Sequence, residues 1–422
     1  MRQVARLANG EITAKGSRNA LIFVFITVLI DMAGFAIIMP VLPKLIVELT
    51  GENLANAALW GGALMTSFAV MQFLFAPLIG NLSDRFGRRP ILLLSLAGFG
   101  INYGLMALAP TLGWLFAGRL VAGVFGATFS TANALIADIS PPEKRAANFG
   151  LLGAAFGVGF IAGPVLGGLL GEYGTRAPFV AASVLALLNL CFGYFTLPET
   201  LAIKKRRKFD WKRANPMGAF RHLAERPVVL RLAVVMFIFG IAHQVYPSVW
   251  AFYTIEKFGW SAFDIGLSLG AVGVVFGLSQ AVVTRWAIPR FGEIKSAAVG
   301  LAALSLAYLA YGLITAGWQM YVVILASFVT AVAGPAINGI MSNRTSEDEQ
   351  GELQGALASV AAVGAIVGPA LFTGLFGVFS KKDAAIYFPG APFIGAAIVV
   401  ALALLVFLSA AKMIKDDHKI AE

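Results

Sequence analysis

Long apolar runs alternate with short polar breaks along almost the whole chain. A helix needs about 20 apolar residues to cross a bilayer, and twelve of the runs are close to that length. The pattern therefore predicts an all-α membrane protein with twelve transmembrane helices. The predicted spans are 20–42, 57–79, 91–109, 113–136, 149–171, 178–198, 229–254, 264–288, 296–315, 318–340, 352–379 and 388–411.

The longest polar break, 199–228, sets the predicted domain organisation. It separates a six-helix half at 1–198 from a second at 229–411, which is followed by a tail at 412–422. The break contains the basic run 204–208 and is interpreted as a solvated linker on the membrane surface. A surface helix is expected around 216–224.

The 32 lysines and arginines are divided unevenly between the two faces of the predicted bundle. With the amino terminus inside, Arg119 lies within a span and the outer loops hold few basic residues. Those outer residues are Lys44, Arg176, Lys257, Lys381 and Lys382. Because Lys and Arg collect on the cytoplasmic side, we expect both termini in the cytoplasm and the chain in the inner (plasma) membrane. The first helix is expected to be retained rather than cleaved as a signal peptide.

Composition argues against several classes of function. The 422 residues are 59% hydrophobic and 13% charged, with a mean hydropathy of +0.81, whereas a globular chain is about 25% charged. The net charge of +10 comes from loops beside the spans, so it predicts contacts with anionic lipid rather than nucleic acid. One cysteine and three histidines offer no metal cluster and no nucleophile–base pair. We therefore expect no metal, no cofactor and no enzyme activity.

An internal repeat has an offset of 205 residues. Arg85-Phe86-Gly87 recurs as Arg290-Phe291-Gly292, Gly163-Pro164 as Gly368-Pro369, and Gly150 as Gly355. Parallel repeats of this kind are typical of transporters whose site lies between the halves near mid-membrane.

A charged stretch, 80–90, joins the second and third spans and is expected to form a tight turn. Gly80 and Gly87 would allow the turn, and Pro90 would open the next helix. Asp84 lies within one helical turn of Arg85 and Arg88, so a charge network is predicted there.

Three motifs carry a resemblance to a known family. They are the signature loop 80–90, the arginine motif 118–123 in the fourth span, and the glycine-rich motif 157–168 in the fifth. On these motifs the chain resembles transporters of the major facilitator superfamily, and within it the twelve-span drug:proton antiporters of the tetracycline-efflux type. The resemblance implies export of a small molecule by alternating access, driven by protons, in a monomer.

Asp31 and Arg119 are the candidate residues for proton coupling. Asp31 lies near the middle of the first span, where an unpaired charge costs several kcal/mol, so its carboxyl group can take up a proton on one side and release it on the other. The resemblance implies that Arg119 takes part in this transfer, and we expect the two side chains to pair. The alternative is that both are structural.

The resemblance also assigns gate and packing residues. Asp84, Arg85, Arg88 and Arg89 are expected to form an inner latch with Asp138, rather than a solvated face. In the fifth span, Gly159, Gly163 and Gly167 share one helix face beside Pro164, which predicts either plain helix packing or a sliding surface between the halves.

Polar and aromatic residues inside the spans are candidates for the substrate cavity. The polar ones are Gln72, Asn102, Asn133, His243, Gln244 and Asn338, and the aromatic ones are Phe68, Phe125, Tyr246 and Trp250. A buried histidine with its hydrogen bonds satisfied is the alternative reading of His243.

The chain departs from the tetracycline-efflux pattern at three positions. Asn102 stands where that family has an acid, and Phe276 and Leu304 stand where it has a histidine and a second acid. These departures favour a less charged, lipophilic substrate over a metal–tetracycline chelate. The alternative function is a proton-coupled importer or facilitator of a metabolite such as a sugar or an organic acid.

Overall fold

The computed structural model describes residues 14–126, 128–207, 209, 227–346 and 349–421, and every regular element in those ranges is a helix. The α-helices are α1 Ala14–Ala36, α2 Leu42–Thr50, α3 Leu54–Phe86, α4 Arg88–Ala107, α5 Leu112–Phe125, α6 Thr128–Ile139, α7 Pro142–Gly171, α8 Ala177–Thr196, α9 Pro227–His243, α10 Val245–Phe258, α11 Ala262–Leu313, α12 Gly317–Ala326, α13 Ala333–Asn343, α14 Gln350–Phe379 and α15 Ala391–Ala421. Short 3₁₀ helices occupy Ile203–Lys205 and Ser327–Val332.

The helices confirm a multi-pass, all-α membrane protein. Within the described ranges, 10 helical segments are long and apolar enough to cross a membrane, and α5 is a shorter apolar helix. The 52-residue α11 contains non-helical backbone at Gly292 and covers two predicted spans. The elements are thus consistent with twelve spans.

Several spans are interrupted near their middle. The first span breaks over residues 37–41, around Pro40, before α2 begins at Leu42. The seventh breaks at Gln244 between α9 and α10, and the tenth contains the 3₁₀ segment Ser327–Val332. Membrane helices tolerate such breaks where neighbouring protein satisfies the freed backbone groups.

The charged stretch 80–90 is more helical than predicted. Helix α3 continues to Phe86 and α4 begins at Arg88, so only Gly87 interrupts the helices. Gly87 has a φ of 108°, in the region that favours glycine. Gly80 lies inside α3 and does not have a positive φ. Its predicted role in a turn is therefore wrong, because one reversal at Gly87 is enough to redirect the chain.

The repeat is visible in the backbone. Gly292, 205 residues after Gly87, has φ 77° and ψ 163°, close to the φ 108° and ψ 162° of Gly87. In both places a single glycine separates two long helices. The two repeats therefore share a turn as well as a sequence motif.

The chain divides into two compact units. The first comprises Met1–Thr50, Val70–Pro216 and Ala262–Gly270, and the second comprises Gly51–Ala69, Met217–Ser261 and Ala271–Glu422. In the first unit α1 packs on α7 and α4 on α8, and in the second unit α9 packs on α14 and α15. Most of the predicted linker 199–228, including the expected helix at 216–224, lies outside the described residues, so the division there stays a prediction.

Candidate functional site

Asp31 lies in α1, the helix that packs against the glycine face of α7. A Cβ built on Gly163 would lie 2.6 Å from the Ala33 carbonyl oxygen, and one built on Gly159 would meet the Leu29 carbonyl oxygen and lie 2.9 Å from the Met32 Cβ. Glycine on α7 thus lets the two backbones touch on either side of the acid, as small residues do in membrane helices.

The same close approach continues toward the end of α1. A Cβ built on Gly167 would meet the Ile37 carbonyl oxygen. Pro164 is buried inside α7, and its carbonyl oxygen faces Gly266 in the same unit, where a Cβ would meet it. The glycine motif therefore packs against two different segments of the first unit.

Asp31 and Arg119 are not joined by the expected ion pair. Asp31 is partly buried and Arg119 is 5% exposed, and within the described ranges no ion pair involves either side chain. Tyr103 in α4 interacts electrostatically with both of them.

Asn102 precedes Tyr103 in α4 and faces α5. Its Nδ2 donates to the Met106 sulfur at 3.6 Å, and a Cβ built on Gly118 would lie 3.0 Å from its Oδ1. Neither that Oδ1 nor the Arg119 Nε has a hydrogen-bond partner within the described ranges, and both atoms are buried. Unsatisfied buried polar atoms are rare and mark places where a ligand, water or proton can act.

Arg88 is the centre of the charge network after α3. Its Nη1 lies 2.6 Å from the Asp84 Oδ1 and donates to the Ser83 Oγ at 3.0 Å, and its Nε donates to the Asp138 Oδ2 at 3.1 Å. Arg88 is only 8% exposed. The structure therefore brings together three of the five predicted latch residues inside the first unit.

The other two arginines of the stretch point elsewhere. The Arg85 guanidinium lies over the Phe86 ring at 5.1 Å. The Arg89 Nη2 donates to the Tyr194 carbonyl oxygen at 2.7 Å, and its guanidinium lies 5.5 Å from the Tyr194 ring centre. The Arg89 contacts tie the stretch to the end of α8, and the Arg85 contact stays within α3.

Glu199 belongs to the network, although it is not among the residues predicted from the sequence. Its carboxylate accepts hydrogen bonds from the backbone N–H groups of Arg88 and Arg89, at 2.9 and 3.3 Å. The first N–H groups of a helix lack partners inside the helix and favour a negative charge. Glu199 thus caps α4 from the segment after α8, and Arg206 lies 3.8 Å from it.

Aromatic rings form the interior of the second unit. The His243 ring lies 5.6 Å from Tyr246, and Tyr246 lies 5.5 Å from Trp250 and 5.4 Å from Tyr308. Trp250 is only 1% exposed, so it packs within the cluster and does not form an open wall. The His243 Nδ1 has no hydrogen-bond partner within the described ranges, so the reading of a satisfied histidine does not hold in this conformation.

Each of the remaining cavity candidates makes contacts within its own unit. Gln72 donates to the Gly126 carbonyl oxygen at 2.9 Å, and Gln354 donates to the Asn338 Oδ1 at 3.2 Å. The Phe125 ring lies against Gly98, and the Gln244 side chain against Gly368. Asn133 and Phe68 are partly buried. Within the second unit, the structure therefore clusters His243, Tyr246 and Trp250.

A metal site is not formed by the part of the chain that the structure describes. In those ranges no three His, Cys, Asp or Glu side chains come close enough together to hold an ion.

Two functional candidates were missed by reasoning from single motifs. Tyr103 and Tyr308 are 205 residues apart, so the repeat offset could have identified both as equivalent inward-facing positions. The same offset relates Arg88 and Asp138 to Glu293 and Asn343, and Asn343 donates to the Glu293 Oε1 at 3.1 Å.

Comparisons with known proteins agree with the geometry. Residues 24–369 match the family model of the Major Facilitator Superfamily. The chain is 42% identical over 360 residues to the tetracycline resistance protein, class C, of Escherichia coli, covering 85% of this chain and 90% of that one. It is 38% identical over 371 residues to the class G protein of Vibrio anguillarum, covering 85% and 91%.

A solved structure shares the fold. The crystal structure of a bacterial homolog of the human lysosomal transporter Spinster, in an inward-facing and unoccupied conformation, matches with a TM-score of 0.77 and 18% identity, covering 96% of this chain and 99% of that one. The extent of the family match and of the identity to the tetracycline resistance proteins shows that the chain belongs to the Major Facilitator Superfamily.

Proposed function

We propose that the chain is a proton-coupled antiporter that exports a small, largely lipophilic drug-like compound by alternating access. The observation that carries the proposal is Asp31, an acid midway along the first span with no ion-pair partner in the described ranges. The relatives named as tetracycline resistance proteins support export of a drug. The proposed location is the inner membrane, with both termini in the cytoplasm.

Asp31 couples protons to the conformational change through its charge. Ionised, the carboxylate is costly at that depth, and it favours the conformation that gives it water or a positive partner. Protonated, the carboxyl group is neutral and is tolerated at that depth. A ligand or proton shifts a two-state equilibrium only through its different affinity for the two states, and the carboxyl group provides that difference.

The substrate is proposed to be uncharged or weakly charged. The second unit places aromatic rings around His243 and Tyr246, and the charged positions expected for a metal–tetracycline chelate hold Asn102, Phe276 and Leu304. Aromatic rings and an amide side chain can bind a ligand that has an apolar surface and a few hydrogen-bonding groups.

Transport by everted membrane vesicles tests the proposal. With an imposed proton gradient, vesicles bearing the protein should accumulate an uncharged lipophilic dye, and an uncoupler should abolish the accumulation. Tetracycline with and without Mg²⁺ serves as the comparison substrate, and vesicles with the Asp31→Asn variant serve as the control. Accumulation that persists with uncoupler, or that occurs only in right-side-out vesicles, would contradict proton-driven export and favour the import alternative.

A further inference from the structure

We infer that Tyr103 is a positioning residue for proton coupling: its phenol stands between Asp31 and Arg119 and offers its hydroxyl to the Asp31 carboxylate in place of a direct ion pair. The inference deepens the proposed function and rests on it, because it assumes that Asp31 exchanges protons during transport.

The position of the phenol is fixed from two sides. Tyr103 is 7% exposed and its ring stacks on Phe99, with ring centres 6.1 Å apart. On the other side, the hydroxyl oxygen lies 3.3 Å from the point where a side chain on Gly34 would begin. Gly34 and Asp31 are three residues apart in α1, so they lie on neighbouring positions of one helix face. The hydroxyl therefore rests against α1 one turn from the carboxyl group.

Arg119 approaches the same part of α4, because its chain neighbour Gly118 packs against Asn102, the chain neighbour of Tyr103. Tyr103 interacts electrostatically with Arg119 as well as with Asp31. Arg119 is buried and its Nε has no hydrogen-bond partner in the described ranges. A phenol can donate one hydrogen bond and accept another, so the same oxygen can accept from the guanidinium while its proton is donated to the carboxylate. A water molecule can complete either contact.

Other ionisable groups are remote from this pair of helices. Helix α1 packs against α6, α7 and α8. Charged residues of α7 are confined to its first turn, and α6 contains Asp138, which is held by Arg88. The ionisable residues of α8 are Cys191 and Tyr194, and both are exposed. Helix α5, which packs on α4, contributes Arg119. Asp31, Tyr103 and Arg119 thus form an isolated group of ionisable side chains.

The second repeat offers a matched control. Tyr308 occupies the equivalent position, is 0% exposed, and lies 5.4 Å from Tyr246. The positions equivalent to Asp31 and Arg119 hold Met236 and Ile324. Replacement of either tyrosine by phenylalanine removes one buried hydroxyl, but only at Tyr103 does the hydroxyl stand between two charged side chains.

Infrared titration of the full-length protein in liposomes tests the inference without any substrate. The Asp31 carboxyl band is identified by its loss in Asp31→Asn, and its protonation is followed against pH. In Tyr103→Phe the midpoint should move by about one pH unit toward higher pH, a tenfold change in proton affinity, because the carboxylate has lost a donor. Tyr308→Phe should leave the midpoint unchanged.

A second variant keeps the inference testable if Tyr103→Phe does not fold. Gly34→Ala keeps the hydroxyl but adds a methyl group 3.3 Å from it, so it should displace the phenol and shift the midpoint in the same direction. A midpoint that coincides with wild type in both Tyr103→Phe and Gly34→Ala overturns the inference. Failure of the proposed function is a separate result: wild-type vesicles would then show no uncoupler-sensitive export, whatever the titration shows.

Discussion

The two repeats keep the same contact but change its chemistry. In the first unit Arg88 bonds Asp138 through its Nε at 3.1 Å. At the equivalent positions in the second unit, the Asn343 amide donates to the Glu293 carboxylate at 3.1 Å. Both repeats have the glycine turn and the helix that follows it. The ion pair of the first repeat is replaced in the second by a hydrogen bond from a neutral amide to a carboxylate.

The interior of the two units shows the same division. Tyr103 interacts with Asp31 and Arg119 in the first unit, whereas Tyr308 in the second lies among other aromatic rings such as Tyr246. The shared plan is therefore a backbone framework. Ionic groups occupy it in the first unit and aromatic groups in the second, as expected if one unit responds to protons and the other contacts an apolar substrate.

The largest expected effect comes from removing the charge that distinguishes the first unit. Asp31→Asn should remain folded in the membrane but lose uphill export down to the background of empty vesicles, because an amide neither binds nor releases a proton. Met236→Asn, the same amide at the equivalent position of the second unit, should retain uncoupler-sensitive export. Vesicle transport measures both, and equal loss in the two variants would contradict the division of roles.

The next effect compares the two equivalent contacts. Arg88→Gln leaves Asp84 and Asp138 facing each other without their cation, and it should lower the free energy of unfolding by about 2 kcal/mol, after discounting for the partial exposure of the two carboxylates. Glu293→Gln keeps a hydrogen bond with Asn343 and should cost less than about 1 kcal/mol. Denaturant unfolding in detergent micelles gives both values, and a larger loss for Glu293→Gln would reverse the comparison.

A similar effect is expected where α7 touches α1. Gly163→Ala places a methyl group 2.6 Å from the Ala33 carbonyl oxygen, and backbone cannot move aside as a side chain can, so the variant should lose about 1–3 kcal/mol. Gly157→Ala is the matched control, since nothing lies within 4 Å of its Cβ, and it should be neutral or slightly stabilising. Thermal unfolding of the two variants decides, and equal stability would show that the glycine face is not tightly packed.

The smallest effect lies in the second unit, in the loop before α15. Burial and a 2.7 Å hydrogen bond to Glu256 raise the pKa of Tyr387 to about 12, from an ordinary value of 10.0. The neutral phenol therefore contributes stability that is fully present below pH 10 and is lost as the pH rises toward 12. The melting temperature of Tyr387→Phe should fall less over this range than that of wild type. Tyr173→Phe, at a tyrosine that is 87% exposed, should match wild type.

Much of the fold was predictable because lipid imposes a simple rule. A backbone in hydrocarbon must satisfy its own hydrogen bonds, so apolar run lengths predicted the helices, and the motif at Gly87 predicted the turn. Gly80 was assigned wrongly because a glycine is compatible with both a turn and a membrane helix.

The rest depended on contacts distant along the chain. Glu199 caps α4 from 111 residues away, and no local pattern distinguishes it from any acid after a span. Within the described ranges Asp31 and Arg119 form no ion pair, and the direction of the Tyr103 ring follows from packing against Phe99 and Gly34. His243 and Trp250 were correctly predicted to lie inside a span. Hydrophobic periodicity could not show that other rings enclose Trp250.

The bonds of Glu199 have a practical consequence for cutting or tagging the chain. Glu199 caps α4, and the Arg207 N–H donates to the Asp84 carbonyl oxygen at 3.2 Å. Hydrogen bonds therefore hold the first residues after α8 against the rest of the first unit. A split protein, a fluorescent insertion or a protease site should therefore be introduced after Arg207. Placed between Leu201 and Arg206, it would separate Arg206 and Arg207 from Glu199 and disturb their contacts with Glu199 and Asp84.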